Sequence, residues 1–99
     1  MEGMTVAPLG DALRSRYSVP EGVSGLVITG VAEGSAASEA QLEAGLVIVQ
    51  ADGRPVRTVA ELRAAVDRVR QSGRPGVLLL IRIPQGNVPV VLELDGDEE

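Results

Sequence analysis

Residues Ala40 to Val66, AQLEAGLVIVQADGRPVRTVAELRAAV, decide the fold. They set a small-residue turn, an apolar strand, an Asp-Gly turn and a capped helix in one order. Leu46, Val47, Ile48 and Val49 form a short continuous apolar run, the pattern of a strand buried on both faces. Asp52-Gly53 suits the positive backbone angles of a tight turn, so Pro55-Val56 reads as a brief returning extended piece. Thr58 is placed to cap the next helix, with Glu61 three residues on reaching back to close a capping box. From about Val59 to Ser72, Leu62, Ala65, Val66 and Val69 recur at spacings of three and four and make one apolar stripe. Gly73 then ends the helix in a left-handed cap. A sheet edge beside such a helix makes a groove.

The same logic extends outward in both directions. Met4 to Leu9 is a short extended segment ended by Pro8 and Gly10, and Asp11 to Tyr17 allows a two-turn helix before Pro20 and Gly22. Gly25 to Val31 is rich in β-branched residues and reads as a strand. Gly34 and Ser35 introduce a short helix, Ala36 to Gln41, which stops before Gly45. After the long helix, Pro75-Gly76 releases a strand from Val77 to Ile83, and a turn at Pro84 to Asn87 returns the chain through Val88 to Leu94. There Val90, Leu92 and Leu94 alternate with Val91 and Glu93, which predicts one face in and one face out. The final DGDEE reads as a solvated acidic tail. Neither a repeat nor a dividing linker is visible, so the fold expected is a single α+β domain of about five or six short strands and two or three helices.

Composition narrows the chemistry. The chain has no His, Cys or Lys, so all 9 basic residues are Arg, and the usual bases, thiol nucleophiles and soft metal ligands are missing. Catalysis would have to rest on carboxylates, Tyr17 or unassisted hydroxyls. At 99 residues the chain buries roughly 60–70 % of its unfolded surface, enough for one modest core. With Tyr17 the sole aromatic residue, that core must be aliphatic. A net charge of −5 and a single aromatic ring argue against nucleic acid, which calls for a basic footprint and usually stacking rings. No apolar run approaches the roughly 20 residues of a membrane span. Met1-Glu2-Gly3 lacks the basic start and long apolar stretch of a secretory leader.

Taken in order, these pieces resemble a PDZ domain in the circularly permuted arrangement of the bacterial HtrA/Deg serine proteases, most like their second, C-terminal PDZ domain. The resemblance spans the opening Gly3-Met4-Thr5-Val6-Ala7-Pro8, the strand GLVITGV, the turn and helix GSAASEAQLEAG, the strand VIVQADGRPV, the helix TVAELRAAVDRV and the final hairpin. It implies a small, partly open β-barrel or sandwich over residues 1–95, with 96–99 as tail. It also implies capture of peptide C-termini or extended segments by strand addition beside a carboxylate-binding loop. Carried over by position, the loop is Glu2-Gly3-Met4-Thr5, the edge strand runs from Met4 to Ala7, and the groove helix begins at Val59. The implied peptide-binding residues are Gly3, Met4, Thr5, Val6, Val59, Arg63 and Val66. Arg70 shares the groove-facing spacing, while Leu62, Ala65 and Val69 point into the core. Two positions depart from the family: Glu2 stands where an apolar residue precedes the loop glycine, and Leu46 replaces an Asp after Gly45.

Further implications belong to the resemblance alone. The partners are peptide or unfolded-protein segments with an apolar last residue, together with other domains of the same protease, and the location is the periplasm or cell envelope. The catalytic triad of the family lies in a separate domain, so this chain is expected to carry no catalytic residue, metal or cofactor. An assembly module that docks within its own protein is the alternative, and a carboxylate-only hydrolase a remote third. Asp52 with Asp67 or Glu61 could be imagined as a catalytic pair, but a turn aspartate is the simpler reading. Asp95, Asp97, Glu98 and Glu99 lack the spacing of a calcium loop. Ser35 and Ser38 form no nucleophile elbow and are read as helix-start residues.

Overall fold

The computed structural model describes residues 3–20, 22–83 and 85–94. Met1, Glu2 and the acidic tail named above lie outside the described residues, as does Pro84 in the last turn. The elements follow in the order β1 (Met4–Pro8), α1 (Asp11–Tyr17), β2 (Leu26–Val31), α2 (Ala36–Glu39), β3 (Val47–Ala51), β4 (Arg54–Pro55), α3 (Val59–Gln71), β5 (Gly76–Ile83) and β6 (Gly86–Glu93). The strands form one antiparallel sheet in the order β1-β2-β3-β5-β6, with β4 paired to β3. This is the expected α+β architecture, a partly open sheet with three helices.

Element boundaries differ from the sequence reading by one or two residues, and each shift has a local cause. The short helix α2 ends at Glu39 because Gln41 adopts a left-handed backbone, φ 67°. The strand β3 starts at Val47 because Gly45 and Leu46 are held in an irregular pairing, where Gly45 N–H donates to Ile28 O at 2.7 Å and Leu46 O accepts from Ile28 N–H at 2.9 Å. The strand β6 begins at Gly86, earlier than Val88, since the pairing with β5 continues through Arg82↔Asn87 to Ile83↔Gly86.

The core is aliphatic. Leu26, Ile28, Ile48, Leu62, Leu79, Ile81 and Leu92 are fully buried, and no described polar side chain is. All four residues of the predicted α3 stripe, Leu62, Ala65, Val66 and Val69, are buried against the sheet. The capping box at its start is complete: Thr58 Oγ1 accepts from Glu61 N–H at 3.0 Å and Glu61 Oε1 accepts from Thr58 N–H at 3.2 Å. At its end Gly73 has φ 78°, and Arg74 N–H donates to Val69 O while Gly73 N–H donates to Arg70 O, the hydrogen-bond pattern of a Schellman cap. In the β5–β6 hairpin the alternation holds, with Leu92 buried and Val91 and Glu93 exposed.

The Asp52-Gly53 turn takes positive φ at both residues, 53° and 80°. Its carboxylate also reaches α3. Arg74 Nη1 donates to Asp52 Oδ1 at 3.1 Å and Arg68 Nε donates to Oδ2 at 3.4 Å, so the β3–β4 turn is tied to the C-terminal end of the helix. The Arg74 hydrogen bond, then its charge and the Arg68 contacts, outweigh desolvation and hold the Asp52 carboxyl below its ordinary value of 3.8. A lowered folded-state pKa contributes stability above the unfolded value and loses it as pH falls through the folded one. Asp52→Asn keeps a residue that tolerates the left-handed turn but removes the charge. It is expected to lower the melting temperature slightly at pH 7, and the gap from the parent should close by about pH 2. Thermal melts at both pH values check this, and an equal gap at both would contradict the ion-pair account.

Candidate functional site

Strand β1 is a sheet edge. It pairs with β2 on one side, from Met4↔Val31 to Pro8↔Leu26, and among the described residues has no strand on the other. A bulge falls between Thr5 and Val6, where Thr5 opposes Gly30 and Val6 opposes Ile28. The unopposed Thr29 turns its hydroxyl to Thr5 O at 3.2 Å and ties down the bulge. An unpaired edge exposes alternate backbone N–H and C=O groups, which is a template for a further strand.

Gly3 opens that edge with φ 89°, a conformation that disfavours any L side chain. Its carbonyl accepts from Ala32 N–H at 2.7 Å. A Cβ added at this position would collide with the Cβ and Oγ of Ser35, the N-cap of α2. Ser35 is itself fixed, since its Oγ accepts from Ser38 N–H at 3.1 Å and donates to Ala32 O at 2.6 Å. Backbone of Gly3 is thereby pressed against the start of α2, and only glycine fits.

Helix α3 lies alongside β1. Arg57, just before the Thr58 cap, lines one cleft with Pro8 and Leu9, so α3 begins at the far end of β1 from Gly3. Of the residues predicted to take a peptide, Met4 and Val66 are buried in the core, while Val6 and Val59 are half-buried and pack against it. Thr5, Arg63 and Arg70 are exposed. Val66 therefore belongs to the core as fully as Leu62 does, with 2 % of its surface exposed.

These features, a free edge opened by a constrained glycine and flanked by a helix, agree with a family assignment. The family model for the PDZ domain matches residues 2–82. The chain is a PDZ domain. Like other members of that family it is a binding module and not itself a catalyst.

Solved structures share the fold of this PDZ domain. The HtrA3 PDZ domain bound to a phage-derived ligand, FGRWV, matches with a TM-score of 0.74 and 24 % identity, over 94 % of this chain and 82 % of that one. The HtrA-type protease AlgW with a decapeptide matches with a TM-score of 0.74 and 22 % identity, over 94 % of this chain and 28 % of that one. A PDZ domain protein from Parabacteroides distasonis matches with a TM-score of 0.65 and 26 % identity, over 96 % of this chain and 20 % of that one. The chain thus spans under a third of AlgW and of the Parabacteroides protein. Comparison with curated proteins gives no match.

Three features of this PDZ domain are not legible from linear spacing. The Asp52–Arg68–Arg74 cluster and the cleft holding Arg14 and Arg57 each join residues from separate elements. Leu78 and Val91 sit opposite each other on the outer face of the β5–β6 hairpin, 50 % and 59 % exposed, so they form an apolar pair facing solvent. The alternation in β6 signals Val91, whereas the unbroken run Val77 to Ile81 conceals that Leu78 points outward.

Proposed function

We propose that this PDZ domain binds peptides by strand addition along β1, holding a terminal carboxylate at the loop Glu2-Gly3-Met4-Thr5 and an apolar last side chain against Met4, Val6 and Val66. The observation that carries the reading is the free edge of β1, opened by Gly3 and flanked by α3. The edge offers main-chain hydrogen bonds, backbone amides of the loop offer donors to an anion, and the aliphatic floor selects the side chain. The HtrA3 PDZ domain, of the same fold, holds a ligand ending in valine. Affinity is expected to be on the order of micromolar, because a flexible peptide loses much of its gain to ordering. We assign the domain to a Deg-type serine endopeptidase of the cell envelope, as its second PDZ domain, where peptide capture would regulate or target the protease. The fold neighbours of HtrA type support the HtrA-like part of that assignment, and the second-domain position and the envelope location rest on the sequence resemblance.

Titration with an apolar-ended peptide tests the groove through two variants on α3. Val66→Ala removes methyl groups from the floor and is expected to weaken binding about fivefold, while costing about 2 kcal/mol of stability because Val66 is also core. Arg63→Glu lies on the exposed rim and should leave the melting temperature nearly unchanged. It should shift preference roughly three- to fivefold from acidic towards basic side chains upstream of the peptide end, an effect that shrinks as salt rises. Calorimetry on both variants checks the pair of outcomes. If neither variant alters binding, the groove assignment fails.

A second reading is supported by the exposed Leu78 and Val91 pair. On that reading the outer face of the β5–β6 hairpin docks within or between subunits of the parent protein and controls assembly. An assembly module need not hold soluble peptides, so absence of peptide binding would favour it.

A further inference from the structure

A cleft of about 130 Å³ at the Pro8 end of β1 is lined by Pro8, Leu9, Arg14, Ser24, Gly25 and Arg57. We infer that it is an upstream subsite for acidic side chains, read at about the fifth or sixth residue from the end of a bound peptide. The inference rests on the groove reading and deepens it.

A carboxylate held at the Gly3 end of β1 forces the added strand to run antiparallel to β1, so its upstream residues travel towards Pro8. The five residues of β1 rise about 3.3 Å each, roughly 17 Å in all, and this delivers the fifth or sixth residue from the peptide end to the cleft. Pro8 has no N–H to offer an added strand, so the main-chain ladder ends there and side chains must supply any further recognition.

Charge decides what those side chains select. Among the described residues no acidic residue lines the cleft, and two arginines do. Arg14 is held in place by the hydrogen bond from its Nη1 to Pro20 O at 2.8 Å, which leaves other donors of its planar fork for a carboxylate. The Arg57 backbone is anchored by its N–H to Glu61 Oε1 at 2.7 Å, so the segment that carries its exposed side chain is fixed. Glu61, the carboxylate next to this segment, is engaged in the capping box and accepts from the N–H groups of Arg57 and Thr58. A carboxylate side chain arriving between Arg14 and Arg57 would meet two cations on a frame already set by the fold.

The test uses synthetic peptides that share the same four apolar-ended terminal residues and carry Glu-Glu, Gln-Gln or Lys-Lys at the fifth and sixth positions from the end. The four-residue peptide alone serves as reference. At low salt the Glu-Glu form is expected to bind three- to tenfold tighter than Gln-Gln, and the Lys-Lys form more weakly than either. The Glu-Glu advantage should fall towards unity at about 0.5 M salt. Arg57→Glu, checked by thermal melt, should invert the order. Equal affinity of the Glu-Glu and Gln-Gln forms, or an order unchanged by Arg57→Glu, would overturn the subsite while the binding of the reference peptide leaves the groove standing. Failure of every peptide to bind would overturn both.

Discussion

Replacing Gly3 with alanine is expected to lower the melting temperature by roughly 10–20 °C and to weaken the binding of an apolar-ended peptide by at least tenfold. Two penalties combine at this position. A non-glycine residue is strained at φ 89°, and the new Cβ collides with the Ser35 side chain at the N-cap of α2. Together they cost about 2–3 kcal/mol, which corresponds to that shift for a domain of this size. Since Ser35 is held by Ala32 O and Ser38 N–H, it cannot swing aside without loss of the cap. The strain should instead push the loop away from α2 and misplace the amides that face the peptide end. Pairing Gly3→Ala with Ser35→Gly removes the collision at a cap cost of only a few tenths of a kcal/mol, so part of the stability should return. Peptide affinity should recover less, because the backbone angle remains wrong. A Gly3→Ala domain that melts and binds like the parent would show that the loop does not depend on this contact.

The sequence made the frame legible where local chemistry acts alone. Thr58 and Glu61 signalled the start of α3, Gly73 its end, and Asp52-Gly53 the hairpin turn, because each signal lies within a few residues of the structure it specifies. Boundaries slipped where a neighbour from another element decides the conformation, as at Gly45 and Leu46, whose hydrogen bonds run to Ile28. The expected groove residues follow from position in a family pattern. Spacing along α3 puts Val66 both in the apolar stripe and, with Arg63, on the groove-facing side, and the structure buries it as deeply as the rest of the stripe. Helical spacing of four and three gives a direction around the axis but not the depth of the surrounding packing. The arginine pair at the Pro8 cleft was invisible for a different reason: Arg14 and Arg57 meet only after α1 and the start of α3 have been placed at the same end of β1.

On the proposed reading, a peptide's free carboxyl end is held at the start of β1. Its contribution should be large, because a carboxylate accepts charge-assisted hydrogen bonds from loop amides that a neutral amide accepts only weakly, and such bonds are about twice as strong as neutral ones. A carboxamide also adds N–H donors that face other donors and find no acceptor there. Glu2 precedes Gly3 in sequence and carries a charge of the same sign as the ligand carboxylate, so the preference for the acid is expected to rise in Glu2→Gln. The measurement is calorimetric titration of the parent domain with one apolar-ended peptide in two forms, free acid and C-terminal amide. Binding of the acid is expected to be on the order of micromolar, and that of the amide at least fivefold weaker. Equal affinity for the two forms would contradict carboxylate capture at the loop and favour docking of internal segments or assembly.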